Sequence, residues 1–386
     1  MTNLSPVFEI LVIGLALAAI LWVVWYSFKQ KQKTSLSNAY TEALEHLVDG
    51  NDRLAIQKFK EAVRQDTENV AAYLRLGDLL RRKGLLSNAI RIHRDLTLRA
   101  TLTPEQELQI LKSLLRDYQA AGEFDQGIQV ARKILRKERT PESWVVQALV
   151  DMLEKTGRWK EAGEVVERYG GQLPVEQNRR LALYLVFQGM ELQEQGNGKE
   201  ARVKFKEALK KDPRCAAAYY YLGKSYRDED RIEDAVKVWK ELCEKAPEKA
   251  HIVFPELEKA WFELGRYADA ENLYLEMMHS DKKGLLVGLA LADIYSKKGE
   301  YDSALEILHR LEEEYHNSPL LIGKKVNVYF HRGQYKQAAS QSLSFFNSTN
   351  GAVAVRYRCS VCNYESKTPR WVCPECHSID TFSFTV

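Results

Sequence analysis

A strong charge of either sign is missing from this sequence. Its 56 Lys and Arg balance 53 Asp and Glu, leaving a formal charge of +3. That balance excludes a chain built mainly to bind nucleic acid, which carries a markedly basic domain. Proline is scarce, at ten residues, and no long Ser- or Gly-rich tract occurs, so extended disorder is excluded as well. Cysteine is limited to six, and four of these fall between positions 359 and 376. Such clustering excludes a secreted disulfide framework and favours a metal site in a reducing compartment. Catalytic spacings are missing too. The eight histidines form no HExxH pair. Gly223-Lys224-Ser225 has Ala218 where a phosphate-binding loop needs glycine, and Gly196-x-Gly198 follows a helical pattern instead of a strand. The lone Cys215 and Cys243 sit on helical patterns and read as packing residues.

What is present begins with an apolar run. From Ile10 to Tyr26 no charged side chain interrupts the sequence, and Val7, Phe8 and Phe28 extend it. About 20 residues at ~1.5 Å each cross a hydrocarbon core of about 30 Å. Trp22, Trp25 and Tyr26 gather at one end, with Lys29, Lys31 and Lys33 immediately after. A cleaved signal would carry its positive charge before the run, where Glu9 stands instead. The expectation is a transmembrane helix at 7–28, an external N-terminus at 1–6 and a basic juxtamembrane linker at 29–35. The bulk of the chain then lies on the cytoplasmic side.

The middle of the chain repeats. Gly50, Gly84, Gly122, Gly157, Gly196, Gly265, Gly299 and Gly333 recur mostly every 34 or 35 residues, with Asp230 in the glycine place between Gly196 and Gly265. Five residues after each marker stands a small residue, from Ala55 and Ala89 through Gly127 and Ala162 to Ala338. Four further on there is often a large ring, as at Phe59, Phe205, Trp239 and Tyr274. Each unit reads as a helix hairpin. Glycine ends the first helix in a left-handed turn, and the small residue lets the helices approach. One hairpin cannot bury its apolar face, so neighbours must stack. Thr101 to Gln106 and Gly170 to Pro174 carry helix-stop and helix-start residues between units. This pattern resembles the tetratricopeptide repeat, in about nine units over 36–350. It is clearest from Leu185 to Pro213 and from Tyr219 to Pro247.

The C-terminal segment, 351–386, holds Cys359-x-x-Cys362 and Cys373-x-x-Cys376. Two tight thiolate pairs suit one tetrahedral zinc or iron ion. Asn363 follows the first pair, where a left-handed turn residue is wanted. So small a domain depends on its metal for stability. Its apolar residues, Trp371 among them, are expected to pack on the last repeat. His377 reads as a residue beside the site, not as a fifth ligand.

The expected fold is therefore all-α: a tetratricopeptide-repeat superhelix with one N-terminal transmembrane helix and a small rubredoxin- or zinc-ribbon-like four-cysteine domain. In such a superhelix the concave wall comes from fixed positions of each first helix. Here these are Asp78 and Arg81, Lys112 and Arg116, then Tyr220, Lys224 and Arg227. They predict a mainly basic groove for an acidic segment of a partner, with Tyr220 giving apolar contact.

The combination resembles lipopolysaccharide assembly protein B. The features that carry the resemblance are the anchor, the repeats, and the stretches Ala89-Ile-Arg-Ile-His93, Asp117-Tyr118, Arg356-Tyr-Arg-Cys359 and Trp371-x-Cys-Pro-x-Cys376. Asn363 for a glycine and Ile379 for an aromatic depart from that pattern. The resemblance implies an iron-type rubredoxin site and a place in the bacterial inner membrane. It also implies an adaptor that helps a membrane-bound AAA+ protease, FtsH, degrade the deacetylase committing precursor to lipid A. A non-enzymatic scaffold is thus expected, with protein partners that include, in principle, a second copy. Two other readings are a rubredoxin-like redox protein and a nucleic-acid module using Lys367, Arg370 and Trp371. The first needs no such scaffold, and the second lacks a basic domain.

Overall fold

The computed structural model describes Ile20, Trp22, Val23, Trp25 and residues 39–172, 177–279, 284–316, 318–349 and 356–385. The expected transmembrane span, its external N-terminus and its basic linker lie outside these, apart from the four N-terminal residues, which are helical and exposed. No helix among the described residues is long and apolar enough to cross a membrane.

Two compact units divide the chain, Met1–Met152 and Leu153–Val386. The first contains helix α1 (39–48) with α2 (Asp52–Gln65), α3 (Val70–Arg82) with α4 (Leu86–Leu96), and α5 (Pro104–Ala121) with α6 (Phe124–Lys137). Helix α7 (Ser143–Lys155) runs over the boundary and is followed by α8 (Trp159–Tyr169). The second unit continues with five hairpins. These are α9 (Gln177–Glu194) with α10 (Gly198–Lys211), α11 (Ala216–Arg227) with α12 (Ile232–Lys245), and α13 (Phe254–Glu263) with α14 (Ala268–His279). Then come α15 (Leu285–Lys298) with α16 (Tyr301–Glu314) and α17 (Pro319–His331) with α18 (Tyr335–Thr349). Within each unit the second helix of one hairpin packs on the first helix of the next. Three short strands follow, β1 (Arg356–Cys359), β2 (Glu365–Ser366) and β3 (Phe382–Thr385), paired antiparallel in the order β2-β1-β3.

The repeat markers explain why these residues make hairpins. All eight glycines adopt positive φ, between 69° and 82°, and Asp230 joins them at 60°. Each closes a first helix with a backbone turn that L side chains resist. Asp is among the few substitutes tolerated there, because its short carboxylate can bond locally. Asp230→Gly should relieve that strain and stabilise the second unit by roughly 0.5–1 kcal/mol. Denaturant titration checks this; a loss of stability would mean the Asp230 side chain contributes more than the turn costs.

The rings four residues past the small position fill the hairpin interior. Phe59, Phe205, Trp239 and Tyr274 are all essentially inaccessible. A glycine on the facing first helix makes room: a Cβ on Gly223 would lie 2.2 Å from Trp239 Nε1. In the second repeat that ring is His93, and Gly77 gives it the same close approach. His93 is fully buried, with Nδ1 2.5 Å from Asp117 Oδ2 and Nε2 3.3 Å from the Leu74 carbonyl oxygen. Asp117, on α5, also accepts from Arg81 Nη1 of α3 at 2.8 Å. This polar cluster ties three helices of the first unit together. At Thr103 the expected helix start is a reciprocal cap: Gln106 N donates to Thr103 Oγ1 and Thr103 N donates to Gln106 Oε1. Gly223-Lys224-Ser225 lies inside α11, which leaves no loop for a phosphate.

Candidate functional site

The two cysteine knuckles are built alike. Asn363 N donates to the Cys359 carbonyl at 2.9 Å, and His377 N donates to the Cys373 carbonyl at 3.0 Å. Cys359 N and Cys373 N each donate, at 2.9 Å, to the residue five ahead, Tyr364 and Ser378. Both turns close through a left-handed residue, Asn363 at φ 61° and His377 at φ 56°. The Asn363 turn therefore forms without glycine. His377 is exposed and serves its turn through the backbone, a role the sequence reading did not assign.

This geometry brings the four sulfurs within 4.8 Å of one another. Cys359 and Cys376 are 3.7 Å apart, and Cys362 and Cys373 are 3.4 Å apart. A tetrahedron of thiolates ~2.3 Å from one ion has edges of about 3.8 Å, so the donor set fits a single metal. Burial opposes ionisation of Cys359, but the Thr381 hydroxyl and the N–H groups of Cys362 and Val361 outweigh it and bring the thiol down to about 6. At Cys362 the Tyr364 N–H favours the thiolate, while burial and the other three sulfurs push it up to about 12. Four thiolates this close need a cation among them.

The ribbon was expected to pack partly on the last repeat; among the described residues its ring contacts lie elsewhere. It docks further back in the second unit. Trp371, two residues before Cys373, lies 5.6 Å from the Tyr220 ring and 5.5 Å from the Tyr221 ring of α11. His251, in a 3-10 turn (Pro247–Ile252), stacks on Tyr357 at 6.4 Å and meets Phe384 edge-on at 5.3 Å. Arg179 of α9 pairs with Asp380. The reason is chemical: these ribbon aromatics find matching rings on α11 and at His251. Burial lowers the His251 pKa below its ordinary 6.5, against the hydrogen bond to the Glu248 backbone. With its ring against the ribbon, His251 therefore binds fewer protons than it does when exposed. Docking is at full strength above about pH 6.5 and is lost as pH falls through the lowered value. Following the Trp371 indole resonance against pH should show undocking on acidification, and His251→Gln should abolish that dependence.

The predicted groove residues divide between the units. In the first, Asp78, Lys112 and Arg116 line a pocket of about 280 Å³. The charges of Asp78 and Lys112 are already matched. Asp78 pairs with Arg81 at 2.8 Å, and Lys112 pairs with Glu138 at 2.7 Å and Glu142 at 2.6 Å. Arg116 lies 4.1 Å over the Trp144 ring. In the second unit Arg227 pairs with Glu256 and, at 3.6 Å, with Glu263. Tyr220 is covered on one side by Trp371, so the apolar contact predicted for a partner is partly taken by the chain's own ribbon. Of the seven, Arg116 and Lys224 are exposed with no ion pair among the described residues; Arg116 is held over the Trp144 ring. Tyr220 and Lys224 line a cleft of about 850 Å³ between ribbon and repeats.

Family models agree with this division. Tetratricopeptide repeat models match residues 40–99, 188–250 and 262–323, and a rubredoxin metal binding domain matches 357–383. Over 356 residues the chain is 25% identical to lipopolysaccharide assembly protein B of Escherichia coli K12, covering 92% of this chain and 90% of that protein. The chain is a homologue of lipopolysaccharide assembly protein B. The protein of that name from Haemophilus influenzae is likewise 25% identical, over 91% of this chain and 92% of its own length. A solved tetratricopeptide repeat protein from Parabacteroides merdae covers 76% of this chain at 13% identity and a TM-score of 0.29, too low to support an argument. The resemblance read from the sequence thus holds for repeats and ribbon together.

Proposed function

We propose that this chain is a membrane-anchored, cytoplasmic-facing adaptor in the control of lipopolysaccharide synthesis, presenting a lipid A pathway deacetylase to an FtsH-type AAA+ protease. The observation that carries this reading is the match to lipopolysaccharide assembly protein B over 92% of the chain, repeats and ribbon included. The arrangement of the chain supports a binding role. In the second unit the stacked hairpins present a wall of side chains, and the ribbon is fixed against it. Cys359, Cys362, Cys373 and Cys376 would hold one iron or zinc ion, whose part is to cross-link the two knuckles. Anchoring supports function through effective concentration, holding the wall near membrane-bound partners. The exposed Ile20, Trp22, Val23 and Trp25 are compatible with such an anchor.

Deacetylase half-life in cells tests the proposal. Removing the chain should lengthen it severalfold, and restoring the full chain should shorten it again. A fragment lacking residues 1–28 should restore it only in part at normal expression. An unchanged half-life in all three strains would remove the assignment.

A further inference from the structure

The cleft between ribbon and repeats has a charge balance of its own. Three carboxylates face it, and each is already neutralised: Glu256 by Arg227, Asp293 by Lys324, and Glu258 by Lys297 at 2.9 Å. Three cations are left over. Lys224 projects from α11, and Lys367 and Arg370 from the loop between the knuckles. All three are exposed, and none has a carboxylate partner among the described residues; Arg370 only donates to Ser366 Oγ at 3.2 Å. Between them lies an aromatic floor made of Tyr220, Tyr221 and Trp371. At one edge stands His251, whose inaccessible Nε2 has no hydrogen-bond partner among the described residues.

We infer that this composite cleft receives an extended acidic segment of a partner protein, with an aromatic or large aliphatic side chain seated against Trp371 and Tyr220. The inference rests on the adaptor reading and says where the partner is held. Two modules contribute: the repeats supply Lys224 and most of the apolar wall, and the ribbon supplies Lys367, Arg370 and Trp371. Neither half makes the site alone. Acidic side chains meet the unpaired cations, which raises association rate and specificity. The neutralised Glu256, Glu258 and Asp293 remain within the cleft and disfavour a polyanion of high charge density. Metal loading then controls partner binding, because the ion holds the loop that carries two of the three cations.

Panning a phage-displayed library of random 16-residue peptides against the full-length, metal-loaded chain tests this. Selected peptides should be rich in Asp and Glu around an aromatic residue or Leu. Their Kd, read by fluorescence anisotropy, should rise at least tenfold in Lys224→Glu/Lys367→Glu, with melting temperature and metal content unchanged. Lys112→Glu, in the other unit, should leave it unaltered. Selection of no peptides, selection of peptides without acidic residues, or retained binding by the double variant overturns the site. Those outcomes leave the half-life test of the adaptor reading standing. An unaltered half-life with cleft-dependent peptide binding would instead remove only the choice of partner.

Discussion

Cys373→Ser in the full chain is expected to reduce bound metal from one ion per chain to a trace and to unfold the ribbon. A module of this size buries too little apolar surface to fold without its ion. Apparent metal contributions in comparable small domains reach about 10–16 kcal/mol. The loss should not stop at the ribbon. Trp371, Tyr357 and Phe384 leave their partners, so Tyr220, Tyr221 and His251 become exposed. Each aromatic contact contributes roughly 0.5–1.5 kcal/mol beyond its buried area. The second unit should therefore melt earlier, and the first unit should keep its own transition. Elemental analysis and calorimetry report both effects. Wild-type metal content, or an unchanged second-unit transition, would contradict the coupling. Elemental analysis of the wild-type chain also distinguishes iron from zinc.

Asp117→Ala should destabilise the first unit by roughly 3–5 kcal/mol, as expected when one member of a buried charged cluster is deleted. Its carboxylate, fully buried, receives Arg81 on one oxygen and His93 on the other. Without it His93 Nδ1 loses its partner in a dry interior, and Arg81 keeps only Asp78 and the Ser113 carbonyl. His93→Phe should cost much less. Phe205 already lies against Gly189 at the corresponding place in another repeat, and the Arg81–Asp117 pair would survive. Urea titration of the two variants separates them; equal losses would mean that shape, not charge, dominates the site.

The legible parts of the molecule were those set by local chemistry. A left-handed turn must be made by the residue in it, so Gly50 through Gly333, and even Asp230, could be read in advance. The knuckles were legible for the same reason, since each closes within six residues. His93 and Asp117 stood out only as a likeness, because their pairing joins different helices. Ribbon docking left no local trace. Trp371 was noticed beside Lys367 and Arg370, but its partners on α11 are set by the fold. Charge was misjudged in the same way. Arg81, Lys112 and Arg227 look free along the sequence, yet each meets a carboxylate from another helix. Among the described residues only Lys224, and Arg116 apart from its Trp144 ring contact, kept the exposed, unpaired character predicted for the whole wall.

The central claim is that this chain works by holding other proteins, and crosslinking from native membranes tests it most directly. The intact chain, carrying a photo-crosslinker in place of Leu286 at the cleft, would be captured and its adducts identified. The account predicts adducts with a membrane-bound AAA+ protease or with the lipid A pathway deacetylase, lost in Cys373→Ser. A folded, metal-loaded chain that forms no adduct with either protein would contradict it.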